Sequence, residues 1–215
     1  MATNIVFTKS LGAASANGIA TSQSPGAAAL TLTANPVVID TATANNSAIG
    51  RRVILLSGGN DSSINFLITG TVASGAVVTD TVVGTNGGTA QSNLDFVTVS
   101  NIIGSGAIAS TIVVGTNGVG SSEWKTWNWM VDPPLNIGYA VELVSGAVNY
   151  TVQYTYDDPN NLMGGVTTPL AFNTILLAQT ATADSTLSTP FIATRVLINS
   201  GTGIIRVRTV QAGIG

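Results

Sequence analysis

The chain has no cysteine and no histidine, and few charges of either sign, with seven Lys and Arg against ten Asp and Glu in 215 residues. Without thiols there is no disulfide stapling and no Cys-based zinc site. The thiol nucleophile and the commonest general base are also gone. A Ser–Lys arrangement would have to use Lys9 or Lys125, and neither has a local serine motif of that kind. The basic residues form no run longer than Arg51-Arg52, too little for the basic stripe that phosphate neutralisation needs, so nucleic acid is not expected as a partner. No window approaches ~18 consecutive apolar residues, so no membrane span is expected. The start, Met1 to Lys9, lacks the charged front and apolar core of a secretion signal.

The acids stand mostly alone at turns and strand ends, whereas glycoside chemistry needs two carboxyl groups facing across a cleft. Asn60-Asp61 and Asp157-Asp158 offer hard oxygens, but neither lies in the alternating acidic loop of a calcium site. Gly84 to Gly88 has no Lys-Ser or Lys-Thr after it to cradle phosphate. These absences lead to the expectation of a non-enzymatic protein without metal or cofactor.

What is present is apolar and turn-rich. Apolar residues make up 45% and charged residues only 8%, against a usual charged share of ~25%. So little charge leaves a free monomer poorly protected from association, and burial in a larger assembly removes that problem. The 24 glycines, with many Ser, Thr and Asn, punctuate the chain every few residues, which suits short strands.

The expected fold is all-β, with two antiparallel β-sandwich halves of Ig-like or jelly-roll type behind a Gly/Ala/Ser-rich N-terminal arm. Residues 1–27 form the arm, holding one short strand at Ile5 to Phe7. It buries too little to order by itself and is either a loose terminus or a segment that orders on a neighbouring subunit. Residues 28–120 form the first sandwich, with strands at Leu30 to Ala34, Val37 to Thr41, Arg52 to Ser57, Ile64 to Thr71, Val77 to Val83, Phe96 to Ile103 and Ser110 to Val114. The Asn-Gly pairs in Gly84–Gly88 and Gly115–Gly118 predict tight turns. Residues 121–215 form the second sandwich, with strands at Ala140 to Val144, Val148 to Tyr156, Phe172 to Gln179, Arg195 to Asn199 and Ile204 to Val210. Asp157 to Gly165 reads as a long polar loop.

One unit is written more than once. Arg51 to Gly70 has an aliphatic run, a Ser/Gly/Asn/Asp cluster and a second apolar run, which predicts a β-hairpin. Arg195 to Arg208 repeats the pattern, and Val141 to Tyr154 is a looser copy. Arg52 and Arg195 open strands at matched positions, and Arg206 and Arg208 share a face. They are read either as edge-strand charges that discourage sheet-to-sheet pairing or as salt-bridging residues of an interface. Trp124, Trp127 and Trp129, all the tryptophans of the chain, lie within six positions. They suit a core seam, a subunit interface or a carbohydrate-stacking platform.

Ile19 to Gly26, Arg51 to Gly59, Ile68 to Thr71, Val114 to Gly118 and Val148 to Asp158 together resemble virion structural proteins of tailed bacteriophages, especially short-tailed ones, over most of residues 19 to 211. The resemblance implies a capsid decoration (cement) protein on the virion surface, or else a tail adaptor or fibre-base component. It carries no catalytic residues. The partners expected are the major capsid protein and the chain itself, as a homotrimer or homodimer. Trp124, Trp127, Trp129, Arg52, Arg195, Arg206 and Arg208 are the interface candidates. A glycan-binding sandwich with exposed tryptophans is the alternative from a different class.

Overall fold

The computed structural model describes residues 3–11, 13–39, 49–108, 110–127, 136–159 and 173–212. These are all-β, and no helix occurs among them. In chain order the strands are β1 (Thr3–Leu11), β2 (Ala20–Gln23), β3 (Val37–Val38), β4 (Gly50–Asn60), β5 (Asn65–Thr71), β6 (Val77–Val83) and β7 (Asn86–Phe96). They continue with β8 (Thr98–Gly104), β9 (Ile112–Ser121), β10 (Lys125–Thr126), β11 (Asn136–Thr155), β12 (Asn173–Gln179), β13 (Ala183–Leu187) and β14 (Ala193–Ala212). The chain divides into two compact units, one within residues 13–121 and one made of residues 3–11 and 122–212.

In the first unit the strands β2 to β9 pair antiparallel in a nested set. β5 pairs with β6, β4 with β7, β3 with β8 and β2 with β9. Two further pairings, β4 with β9 and β5 with β8, complete the sheets β2-β9-β4-β7 and β3-β8-β5-β6. One core joins them, with Val53, Leu55 and Val114 from the first sheet and Phe66, Ile68, Val99 and Ile102 from the second. Strand alternation produces this core: in β5 the residues Phe66, Ile68 and Gly70 are buried while Asn65 and Leu67 are exposed. A fully buried Phe or Ile contributes roughly 1.5–3 kcal/mol.

The second unit is built on two strands of 20 residues each, β11 and β14, paired from Asn136–Ala212 to Thr155–Ala193. Near the middle, Gly146, Gly201 and Gly203 all have positive φ, and the register shifts on either side of them. Any Cβ there would meet the partner strand's backbone, so glycine is required where both strands bend. On one side of the bend β13 and β1 extend the sheet, and on the other side β12 and β10 do. The bent halves meet across a core: Tyr150 Oη donates to the carbonyls of Ala181 at 2.8 Å and of Val141 at 3.4 Å.

Several expectations change. Arg51 to Gly70 is not a hairpin, because β4 and β5 belong to different sheets and the Ser/Gly/Asn cluster carries the chain between them. Arg195 to Arg208 and Val141 to Tyr154 are not hairpins either. They lie within β14 and β11 and pair with each other, because positive-φ glycines bend a strand as readily as they reverse it. Gly115 to Gly118 lies inside β9 and not in a turn. Gly115 is small because the backbone at Ser15 and Ala16 crosses it, and Thr116 N–H donates to Ser15 O at 2.7 Å. Gly88 lies in β7, a strand the Asn-Gly pair concealed. Leu30 to Ala34 is not a strand, although Leu30 is buried and its N–H donates to Ile102 O at 2.9 Å. Part of the stretch expected as an N-terminal arm is ordered on the chain itself: β1 pairs with β14, and Ile19 and Ala20 enter the core of the first unit.

Candidate interaction surface

The seven candidate residues fall into separate groups. In the second unit β10 lies antiparallel to β14, which sets Trp124 opposite Arg195. The Arg195 guanidinium sits 4.6 Å from the Trp124 ring centroid, a cation–π contact. Arg195 Nε also donates to Gln153 Oε1 at 2.9 Å, so Gln153 of β11, Arg195 of β14 and Trp124, just before β10, form one row. Trp127 is buried and donates from Nε1 to Thr194 Oγ1 at 2.9 Å, which makes it a core residue. Trp129 lies outside the described residues.

Tyr139 is buried as well, and its hydroxyl has no hydrogen-bond partner among the described residues. Thr194 comes near it without closing a well-directed bond. Burial pushes its phenol up from 10.0 to about 12, against a smaller opposing effect of Thr194. Tyr154 packs its ring against Phe191 and, edge-on, against the exposed Tyr156, with both centroid distances 5.7 Å.

Arg206 and Arg208 share one face of β14, and both reach Glu142 Oε2, at 3.2 and 2.6 Å. All three side chains are partly exposed, so each pair contributes no more than about 1 kcal/mol. In the first unit Arg52 Nε donates to Asp95 Oδ1 at 2.7 Å and its Nη1 to Ser92 O at 3.1 Å. Ser121 Oγ donates to the other Asp95 oxygen at 2.6 Å. Arg52 and Arg195 stand on β4 and β14, each with a neighbour strand on both sides, so neither is an edge-strand charge. Their matched places, third in each strand, join strands from the middle of a sheet.

Two features were not foreseen. Arg51, at 1% exposure, is buried and donates from Nη1 to Asn117 O at 3.1 Å. An Arg-Arg pair in a strand alternates its faces, so one of the two must point inward. The second is the outward face of β3-β8-β5-β6. By register it presents Leu67, Ile103 and Thr81 in one row, Thr69, Thr79 and Asn101 in the next, and Val77 and Val83 at the ends. No charged side chain stands on it. Asp80 of β6 points the other way, where it accepts the N–H groups of Asn93 and Leu94. β6 alternates Thr79 and Thr81 with inward residues, but only the register shows that neighbouring strands add no charge.

The described residues hold no group of three or more His, Cys, Asp or Glu placed to bind a metal ion. Asp61 is buried and accepts the Ser110 hydroxyl. What the arrangement offers chemically is uncharged, hydroxyl-rich and aliphatic surface. Searches against family models and curated proteins find no family and no protein that the chain matches.

Proposed function

We propose that the chain is a structural subunit of a bacteriophage particle, a decoration protein that lies on the outside of the capsid and bridges neighbouring major capsid subunits. The observation that carries this reading is the uncharged outward face of β3-β8-β5-β6. A face of Thr, Val, Leu and Ile gains by being covered and loses no ion solvation when covered. The candidate arginines support the same view, since Arg52 pairs with Asp95 and Arg206 and Arg208 share Glu142, all within the chain. The mode of action is burial of surface, repeated over many copies around the shell.

The first unit reads as a jelly roll. Its nested pairing, innermost β5–β6 and outermost β2–β9, is that of one long hairpin rolled into two sheets, an architecture found in viral capsid and lectin domains. The lectin branch supplies a second reading, a glycan-binding module; against it, Trp127 is buried and Arg195 covers one face of the half-buried Trp124.

Cryo-electron microscopy of particles assembled with and without this chain tests the proposal. Many copies spread over the shell, with the uncharged face against capsid protein, are the expected result. A few copies at the tail vertex would replace it with a tail adaptor or fibre-base role. Absence from the particle, with Trp fluorescence perturbed by sugar, would move the assignment to the glycan-binding module.

A further inference from the structure

Sheet edges invite pairing, and proteins blunt them with charges, prolines, bulges or short length. Among the described edge strands most are blunted. β3 and β10 have two residues each. β7 and β12 have broken registers with their partners. β13 carries the exposed Asp184, and β2 has a broken register with β9. β6 lacks all of these except an inward-pointing charge, Asp80. Its seven residues pair with β5 without a register shift, and no described strand pairs with its other side. Its one charge, Asp80, is turned inward to backbone N–H groups of β7.

The sequence of β6 is Val77-Val78-Thr79-Asp80-Thr81-Val82-Val83, which reads the same in both directions about Asp80. An antiparallel pair of β6 strands on a two-fold axis through Asp80 would therefore set Val77 against Val83, Thr79 against Thr81, and the reverse, on the outward face. Val77 and Val83 are 73% and 57% exposed, among the most exposed large apolar residues described, and they stand at opposite ends of the strand. That pairing covers both at once. The two Asp80 carboxylates would approach on the inner face, a like-charge contact that costs stability and that the covered valines must offset; each carboxylate is anchored by two N–H groups of its own copy.

We infer that β6 is a self-association edge through which a second copy of this chain continues the sheet β3-β8-β5-β6 across a two-fold axis. The inference does not rest on the proposed function. The contact is short, so the dimer belongs to the weak class, formed between about 1 and 100 µM.

The test uses the full chain in sedimentation equilibrium over that range, with far-UV circular dichroism as a fold control. The wild type is expected to dimerise, and amide exchange across residues 77–83 to slow as concentration rises. Thr79→Lys combined with Thr81→Lys sets lysine against lysine in both outer rows and should weaken the dimer about tenfold or more. Thr79→Lys combined with Thr81→Glu sets each lysine against a glutamate of the other copy and should keep it. A wild type that stays monomeric would overturn the inference. So would a dimer that survives both double substitutions, or one that both abolish.

Discussion

Asp95→Ala tests how the first unit holds its charges. The Asp95 side chain is 9% exposed and that of Arg52 is 27% exposed, so the pair is largely withdrawn from water. Removing the carboxylate leaves Arg52 with only the Ser92 carbonyl, and the Ser121 hydroxyl loses the acceptor it has here. Orphaning one member of a buried pair costs roughly 3–5 kcal/mol, and residual exposure of Arg52 places this case at the lower end. The expected loss is about 3 kcal/mol, or a fall of about 2 M in urea midpoint for an m-value near 1.5 kcal/mol/M. All tryptophans and tyrosines lie beyond residue 121, so far-UV circular dichroism must report the change while Trp fluorescence follows the second unit as an internal reference. The double change Arg52→Met with Asp95→Leu should recover most of the loss, because it leaves no buried charge unpaired. A loss below about 1 kcal/mol, or a double variant as unstable as the sum of the singles, would refute the reasoning.

Gly201→Val puts a β-branched residue at a φ of 95° with its Cβ against the Ala147 carbonyl, and should destabilise the second unit by about 2–3 kcal/mol in a fluorescence-monitored urea transition. Tyr139, held at about 12 against 10.0 in the open chain, should be the last tyrosine to ionise in an absorbance titration, and Tyr139→Phe should delete that step. Because the folded value is the higher one, its contribution to stability is complete below pH 10 and is lost as pH rises toward about 12. Tyr139→Phe should cost little stability at pH 7, since the hydroxyl has no partner to lose.

The all-β class was legible in composition, and strand positions such as β5 and β6 were legible in alternation, because period-two burial is a local property. Pairing was not legible. Gly58-Gly59 after β4's apolar run and Gly201–Gly203 inside β14 look alike in sequence, yet the first precedes a change of sheet and the second bends one continuous strand. The difference lies in what each glycine meets, Thr111 and Ser110 in the first case and the backbone of Ala147 and Ser145 in the second, and those partners are remote in sequence. Likewise Arg52 and Arg195 were legible as matched positions, whereas their partners Asp95 and Gln153 come from other strands and carry no local signal.

The pairing of β1 with β14 sets Thr3 against Gln211, almost the whole chain apart. The pairings that β2 to β9 make with one another close within residues 20–121, so that unit has all its strands as soon as Ser121 is available. β1 has no such option: its partner is β14, the last of the described strands, and closing so long a loop is entropically slow. During synthesis β1 therefore waits for its partner longer than any other described strand. Refolding of the second unit should be the slower phase, and the one most sensitive to chain concentration.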